Sequence, residues 1–355
     1  MFPPGHAQPQ DPDAPIRATD NDAALARLSA VKKNYLQDAF VKDLVPRAHL
    51  QPSRPPLINI GTYVRSHAID LLVGEWLQMA KASGTKVQIV SLGAGSDTRF
   101  WRIETGPAKD ELAKYIEVDF TEVTTKKAMA IRKSKQMNSL LGDPEKVQVA
   151  GGGTGLRSPK YHLIPADLRM PPTVSLGPVL TAGESTEGGP LLSPSLPTLI
   201  IFECVLAYMS PEASARLLRW FVDYSSTGPE EGGILGCLVY EMFNLHDAFG
   251  RVMVSNLQAR YVSIPGAEPF TTLESLSKRL TDEGFSAARA LTLREIRRAY
   301  IEQSELERIS KLEFLDETEE LDLVLEHYAI SWGLYLQNPG SSSSWGHWGL
   351  KQQRL

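Results

Sequence analysis

A glycine-rich turn with an acidic residue beside it is the first feature of this sequence that could bind a ligand. The stretch "IVSLGAGSDTRFW", residues 89–101, is apolar, then glycine-rich and then polar, and it places Asp97 close to Gly93 and Gly95. Glycine permits a tight turn and lets a ligand approach the backbone closely. An acid would repel the phosphates of a dinucleotide, since these bind at bare backbone N–H groups and at the positive end of a helix. The turn therefore favours a cationic, amino-acid-like ligand.

Three further acidic residues end or interrupt apolar segments that have the composition of buried strands. Asp119 lies in "EVDF", Asp167 in "PADL" and Glu203 in "FECVLAYM". An acid at the end of the second strand of a nucleotide-binding fold can accept hydrogen bonds from both ribose hydroxyls, although a solvated loop acid would look the same. Glu203 needs either a structural partner or a cationic ligand, because an unpaired buried carboxylate costs several kcal/mol.

S-adenosylmethionine matches this set of acids. It offers ribose hydroxyls, an adenine edge, an α-ammonium and a sulfonium, and it carries no phosphate. The four carboxylates would also suit a divalent metal, but acids at separate strand ends of a nucleotide-binding fold more commonly bind ribose, base or ammonium groups. We therefore expect S-adenosylmethionine as the cofactor and no metal.

Segments of alternating type are predicted to position these residues. Short apolar runs typical of strands buried on both faces are residues 86–93, 114–120, 161–168, 198–209 and 234–243. Residues 62–81 place Ile69 and Trp76 on one apolar helical stripe, and residues 210–225 begin with Ser210 as a predicted helix N-cap. This alternation predicts an α/β fold, a Rossmann-like and mainly parallel sheet with helices on both faces and its ligand at the carboxyl ends of the strands.

The composition indicates a globular chain. Its 355 residues, 42% of them hydrophobic, can bury a substantial core, and a formal net charge of -5 gives no general reason to bind nucleic acid. The two cysteines, Cys204 and Cys237, are too few for a disulfide framework, which fits a reducing compartment. Neither a signal peptide nor a run of ~20 apolar residues is present. We expect a cytoplasmic monomer that binds neither membrane nor nucleic acid.

The predicted domain organisation is a single domain over residues 21–337 with disordered ends. Residues 1–20 are rich in Pro, Asp and Gln, and residues 338–355 in Gly and Ser, so neither end has much to pack. Two segments dense in Gly, Pro and Ser, near 142–159 and 171–197, interrupt the domain. We expect them to be flexible insertions that pack little.

Seven motifs, taken in order, make the sequence resemble a known family. They are "PPLINIGTYVRSHAIDLLV", "VSLGAGSDTRFWR", "KYIEVDF", "ADLR", "PTLIIFECVLAYMSPEASARLLRW", "YEMFNLHDAFGRVMVSNL" and "SKLEFLDETEEL". Over about residues 28–336 the sequence is similar to the leucine carboxyl methyltransferases, which use S-adenosylmethionine to esterify the C-terminal leucine of type-2A protein phosphatase catalytic subunits, regulating holoenzyme assembly. The resemblance implies the same activity here. The alternative is a related methyltransferase acting on a modified transfer-RNA base, which would be expected to add a C-terminal repeat domain.

The resemblance also implies which residues bind the cofactor. They are Arg27, Arg65, Gly93, Gly95, Asp97, Asp119, Asp167, Leu168 and Glu203. Within this set, Gly93 and the loop after it would hold the amino-acid portion of the cofactor, and Asp119 would bind the ribose. Asp167 and Leu168 would flank the adenine, and Glu203 would contact the cofactor from the fourth strand.

Two residues, Arg65 and Tyr208, are the candidates for a catalytic role. The resemblance implies that Arg65, together with Arg27 or its neighbours Lys32 and Lys33, binds the methionine carboxylate or closes over it. Two structural alternatives remain open at this stage. Arg65 could be an ordinary surface cation, and Tyr208 could belong to the core, since it continues an apolar run.

The reaction implied by the resemblance needs no general base. A C-terminal carboxylate has a reference pKa of ~3.5 and is ionised at neutral pH, so the protein only has to place it against the methyl group. A cover that excludes water would favour methyl transfer to the carboxylate. We expect this cover from helical segments in residues 21–55 and from residues 245–261. In the latter, Phe249, Met253 and Leu257 have the spacing of an apolar wall.

Overall fold

One mixed sheet organises the described part of the chain. The structure, a computed structural model, describes residues 11–181, 189–229, 233–316, 318–338 and 344–353. The strands are β1 Val87–Leu92, β2 Leu112–Asp119, β3 Gln148–Ala150, β4 Gly155–Arg157, β5 Tyr161–Pro165, β6 Thr198–Glu203, β7 Ile234–Met242, β8 Ala287–Thr292 and β9 Tyr328–Leu336. Their order across the sheet is β3-β4-β5-β2-β1-β6-β7-β9-β8. The strands from β5 to β7 in this order are parallel, and the pairs at both edges are antiparallel.

The switch in strand order lies between β1 and β6. From β1 the chain continues to β2 and β5 on one side, and then returns to β6 on the other side. The loops that leave β1 and β6 therefore diverge and open a crevice at the carboxyl edge of the sheet. The predicted Rossmann-like α/β fold is confirmed, and the five runs predicted as strands contain β1, β2, β5, β6 and β7.

Helices cover both faces of the sheet. They are α1 Ala14–Lys32, α2 Val41–Leu44, α3 Pro56–Ala82, α4 Arg99–Glu104, α5 Thr121–Lys133, α6 Lys135–Ser139, α7 Pro172–Ser175, α8 Gly177–Leu180, α9 Pro211–Ser225, α10 Ala248–Gln258, α11 Leu273–Asp282, α12 Leu293–Ala299, α13 Gln303–Ser310 and α14 Thr318–Glu326. Trp76 of α3 lies in the core of one face and Phe221 of α9 in the core of the other. The predicted N-cap is confirmed, since the Ser210 hydroxyl accepts from the Ala213 N–H. Within the described ranges, no helix is both long and apolar enough to cross a bilayer.

Both ends of the chain differ from the sequence prediction. Residues 14–20, expected to be disordered, form the first turns of α1, while residues 1–10 lie outside the described residues. Near the other end, Trp345 and Trp348 are buried with ring centroids 4.5 and 5.0 Å from that of Trp76. The prediction of disorder is wrong for these segments because each finds partners elsewhere in the fold, which local composition does not reveal.

The two segments expected to be loosely packed insertions also contribute to the core. The first contains β3 and β4, which extend the sheet beyond β5, and its Leu156 is fully buried. The second contains the short helices α7 and α8, and Leu176, Leu180 and Leu192 are buried. The expectation that these segments pack little is therefore wrong where they are described; residues 182–188 lie outside the described part.

Candidate active site

A cavity of about 660 Å³ lies at the carboxyl edge of the central strands. Side chains from α1, α3, the turns after β1, β2, β5 and β6, and the end of β7 line it. The residues predicted to bind the cofactor or to act in catalysis all line it: Arg27, Arg65, Gly93, Gly95, Asp97, Asp119, Asp167, Leu168, Glu203 and Tyr208. The topology thus brings together residues that lie up to about 180 positions apart, as expected for a ligand site at the switch in strand order.

The glycine turn after β1 requires glycine at two positions. Gly93 and Gly95 have φ angles of +65° and +47°, in the left-handed region that disfavours other residues. A Cβ atom at Gly93 would collide with Val205, and one at Gly95 would collide with the carboxylate of Asp20. The turn therefore fits closely between the loop after β6 and helix α1.

Asp119 at the end of β2 is fixed by backbone donors. Its Oδ2 accepts from the Gly95 N–H at 2.7 Å, and its Oδ1 accepts from the Phe120 N–H at 2.7 Å. Burial raises the pKa of this carboxyl to about 6, although the two N–H groups act in the opposite direction. Each carboxylate oxygen can accept a further hydrogen bond from a ligand.

Asp97 faces a cation of the protein itself. Its Oδ2 accepts from Arg99 Nη1 at 3.0 Å and from the Tyr115 hydroxyl at 3.0 Å, and its Oδ1 accepts from the Arg99 N–H at 2.8 Å. Burial favours the neutral acid, but the Arg99 guanidinium outweighs it and holds the pKa of Asp97 well below its usual range. Asp97 therefore lines the cavity as part of an ion pair, and Arg99 is a residue of the site that the sequence analysis missed.

Glu203 at the end of β6 has two cationic partners. It pairs with Arg65 Nε at 2.9 Å and with Arg99 Nη1 at 2.8 Å. Burial raises the pKa of Glu203, and the two guanidinium groups more than offset this, so the group is ionised. The sequence left open whether Glu203 has a structural partner or a ligand; the structure gives it structural partners while it still lines the cavity.

Arg65 is not an ordinary surface cation. Its side chain is 19% exposed, and its guanidinium lies 5.0 Å from the centroid of the Tyr240 ring in addition to its contact with Glu203. Stacking on an aromatic ring and pairing with a carboxylate both suit the planar guanidinium, which remains charged at any relevant pH.

Arg27 also lies in the site, and its two neighbours do not. Arg27 Nε pairs with Asp38 at 2.6 Å, and its Nη1 donates to the Ser66 hydroxyl at 3.1 Å. Lys32 donates instead to two backbone carbonyls, and Lys33 pairs with Glu313. Of the three cations that the sequence proposed for this position, Arg27 is the one that lines the cavity.

Together we call these residues the arginine–carboxylate network, in which Arg102 links the Arg27–Asp38 pair to the other pairs electrostatically, without a direct ion pair. Its members are Arg27, Arg65, Arg99, Arg102, Asp38, Asp70, Asp97 and Glu203. Four positive charges face four negative charges, so the network is formally neutral. Arg99 is central because it contacts three of the four carboxylates.

Helix α1 covers one side of the cavity. The Asp20 carboxylate accepts from the Ser96 N–H at 2.7 Å and from the Ser96 hydroxyl at 3.2 Å. Asp13 accepts from both terminal nitrogens of Arg169 at 2.7 Å, and Arg169 also donates to Asp167. Asp13 and Asp20 were not predicted as site residues, because the composition of residues 1–20 predicts disorder.

Comparison with known proteins agrees with the motifs. The family model for leucine carboxyl methyltransferases matches residues 11–222. Leucine carboxyl methyltransferase 1 of Cryptococcus neoformans is 44% identical, covering 94% of this chain and 97% of its own length. The proteins from Bos taurus and Arabidopsis thaliana, the latter named a homolog, are each 33% identical and cover 90% of this chain, and the chain covers 90% and 89% of their lengths.

The chain belongs to the leucine carboxyl methyltransferase family. It is accordingly an S-adenosylmethionine-dependent methyltransferase, of a family named for the carboxyl group of leucine. Solved structures with a similar fold include PigF with SAH, with a TM-score of 0.37 at 11% identity, covering 90% of this chain and 72% of PigF. The fold assignment for this methyltransferase rests on its own sheet topology.

Tyr208 of this methyltransferase lies outside the strand that its apolar run suggested. β6 ends at Glu203, Cys204 has a φ angle of +61°, and a short 3-10 helix follows over Leu206–Tyr208. The Tyr208 hydroxyl lies 3.6 Å from Cys204 Sγ. Burial raises the pKa of Tyr208 well above its ordinary value, so the hydroxyl stays protonated and can donate a hydrogen bond.

Residues 245–261 contribute less to the cavity wall of this methyltransferase than their spacing suggests. Leu257 lines the cavity, whereas Phe249 packs against the His327 ring and Met253 packs into a small cluster with Met242. The predicted three-residue apolar wall is therefore wrong for two of its members, because α10 turns those side chains toward other elements.

Proposed function

We propose that this methyltransferase transfers a methyl group from S-adenosylmethionine to the α-carboxylate of the C-terminal leucine of a type-2A protein phosphatase catalytic subunit, and thereby regulates assembly of the phosphatase holoenzyme. The observation that carries the proposal is the convergence of Asp119, Glu203, Arg65 and Arg27 in one cavity at the switch in strand order. The family membership supports leucine carboxyl chemistry, and the ordered motifs support the phosphatase as the acceptor.

The cavity fits S-adenosylmethionine by the chemistry of its donors and acceptors. Asp119 would bind the ribose hydroxyls, and Asp167 with Leu168 would flank the adenine. Arg27 Nη2 is buried without a hydrogen-bond partner among the described residues, which leaves it a donor for the methionine carboxylate, and Glu203 would receive the α-ammonium. When bound, the cofactor supplies an electrophilic methyl group on a positively charged sulfur.

The residues of the chain act by positioning and by electrostatics. The neutral arginine–carboxylate network fixes Arg65 and Glu203 before any ligand binds, so no reorganisation is needed at the moment of reaction. Arg65 would offset the repulsion between the methionine carboxylate and the acceptor carboxylate, and the protonated Tyr208 hydroxyl would donate to the acceptor. A closed cavity excludes water, which favours a step in which an anion and a cation neutralise each other.

The direct test uses a radiolabelled methyl donor and a purified phosphatase catalytic subunit. We expect label to enter the intact subunit in a form that mild alkali releases as methanol, as an ester requires. A subunit that lacks its terminal leucine should take up none. Equal labelling of both subunits would contradict the proposal, and so would label that resists alkali.

A further inference from the structure

The cavity is lined by seven arginines among the described residues, and six of them have carboxylate partners. The paired ones are Arg17 with Asp11, Arg27 with Asp38, Arg65 with Glu203, Arg99 with Asp97, Arg169 with Asp13, and Arg260 with Asp22. The seventh, Arg54, has no ion pair to any described residue. Arg54 is therefore the cavity arginine whose charge no described carboxylate offsets, and it is available to an anionic group of a second ligand.

The backbone of Arg54 is hydrogen-bonded, while its guanidinium has no partner among the described residues. Its N–H donates to the Ser29 hydroxyl at 2.7 Å, and its carbonyl accepts from Asn59 Nδ2 at 3.1 Å. The residue lines the cavity and is half-buried, so part of it remains accessible to solvent. A fixed backbone reduces the conformational entropy that is lost when the side chain binds a ligand.

The surroundings of Arg54 fit a peptide better than a small anion. Leu57 and Ile58, in the first turn of α3, also line the cavity, and Ile58 is 39% exposed. An apolar surface beside a cation that no described carboxylate pairs with matches a peptide with an acidic side chain and apolar neighbours.

The length of α3 between Arg65 and the helix start, which follows Arg54 by two residues, sets the register of a peptide that lies along this helix. Helix α3 begins at Pro56 and reaches Arg65 nine residues later, which at ~1.5 Å per residue is ~14 Å. An extended peptide rises ~3.3 Å per residue, so this span corresponds to about four residues. With its terminal carboxylate near Arg65, the peptide would pass Arg54 about three to five residues before its end.

We propose that Arg54 is a specificity residue that binds an acidic side chain of the acceptor tail, located about three to five residues before the terminal leucine. This inference rests on the proposed function, because it takes the acceptor to be a protein C-terminus that enters the same cavity. It assigns Arg54 to recognition of the acceptor and gives it no contact with the cofactor.

The test compares Arg54→Gln with Arg132→Gln, a matched control that removes a positive charge from an exposed position on α5 outside the cavity. The acceptors are phosphatase catalytic subunits whose last six residues before the terminal leucine are neutral, with a single Glu placed at each of these positions in turn. Methylation rates give KM for the acceptor and, separately, KM for S-adenosylmethionine.

We expect the wild-type enzyme and Arg132→Gln to prefer Glu at one of the positions three to five residues from the end, with an acceptor KM about ten-fold lower than for the neutral tail. Arg54→Gln should lose this preference and leave KM for S-adenosylmethionine unchanged. Arg54→Glu should instead prefer a Lys at the same position.

Three results would overturn the inference. One is a wild-type preference that survives in Arg54→Gln, and another is a change in KM for S-adenosylmethionine. The third is an equal loss of rate on every tail, which would mean that Arg54 binds the terminal carboxylate. If the wild-type enzyme labels no phosphatase subunit, the proposed function fails. Calorimetry with eight-residue peptides that end in leucine, with and without the Glu, then tests Arg54 alone: wild-type binding that is no tighter with the Glu rejects it.

Discussion

Arg99 determines what the acidic residue in the glycine turn does. The sequence suggested that Asp97 awaits a cationic ligand, and the structure gives Asp97 the guanidinium of Arg99 as its partner. Carboxylates at strand ends could be predicted because apolar runs show where strands end. Their partners could not, because the Arg99 contact to Glu203 joins residues 104 positions apart, and such pairings depend on how helices pack on the sheet.

The raised pKa of Asp119 predicts that cofactor affinity depends on pH. The ionised carboxylate accepts ribose hydroxyls, so affinity should be constant above pH ~7 and should fall as the pH drops through about 6, where Asp119 takes up a proton. Calorimetric titration with S-adenosylmethionine between pH 5 and 8 measures this.

Asp119→Asn provides the control for that titration, because it keeps the shape of the side chain and cannot ionise. It should bind S-adenosylmethionine at least ten-fold more weakly at pH 8, since hydrogen bonds to a charged group contribute ~1.5–3 kcal/mol, and its affinity should not vary with pH. A wild-type affinity that is the same at pH 5 and pH 8 would show that Asp119 does not bind the cofactor in its ionised form.

Arg65→Lys tests whether the planar guanidinium matters beyond its charge. Lysine keeps the positive charge but cannot both pair through Nε with Glu203 and stack on Tyr240. We expect kcat/KM to fall at least ten-fold, or ~1.4 kcal/mol of transition-state stabilisation, with little change in the melting temperature. Normal turnover by Arg65→Lys would remove Arg65 from the catalytic candidates.

At the scale of elements, the strongly apolar strands were predictable and the edge strands were not. β1, β2, β5, β6 and β7 are buried on both faces and therefore read as continuous apolar runs. β8 has the sequence "AARALT", with an exposed first half, and β3 and β4 are only three residues long. Such strands form because a neighbouring edge offers hydrogen bonds, and the local sequence carries little sign of them.

The C-terminal tryptophans give an element-scale prediction about stability. Trp348 is 6% exposed, packs edge-on against Trp76 and donates from Nε1 to the Leu72 carbonyl at 2.9 Å. Trp348→Ala should lower the free energy of unfolding by about 3 kcal/mol, measured in urea, because it leaves a cavity beside α3. Trp348→Phe keeps an aromatic ring and loses the hydrogen bond, so it should cost only about 1 kcal/mol. An unchanged urea midpoint for the alanine variant would mean that the tail adds nothing to the fold.

At the scale of the whole molecule, α1 and Asp13 just before it contact the segments that follow β1 and β5. Composition alone predicted no structure for residues 14–20, since Asp13 and Asp20 find their partners only when the sheet has formed. The general position of the site could be predicted, because any chain with this strand order binds its ligand at the same edge. The cover over that site could not, because it depends on contacts of long sequence separation.

Asp13→Asn tests whether α1 holds the cofactor in place. It weakens the bidentate contact with Arg169, so dissociation of S-adenosylmethionine should become roughly two- to five-fold faster in stopped-flow measurements, and α1 should be cleaved sooner in limited proteolysis. Asp282→Asn is the matched control, because Asp282 pairs with Lys278 on α11 outside the cavity. Equal rates for Asp13→Asn and Asp282→Asn would show that the Arg169 contact does not restrain α1.

The contact between Asp13 and Arg169 also sets an order of events during synthesis. The two residues are 156 positions apart, so at ~5–20 residues per second Asp13 is synthesised roughly 8–30 s before Arg169. During that interval β1, β2 and β5 are still being translated, and α1 has no sheet to dock on. The strands at the base of the active site must therefore be in place before α1 can cover them, although α1 is synthesised first.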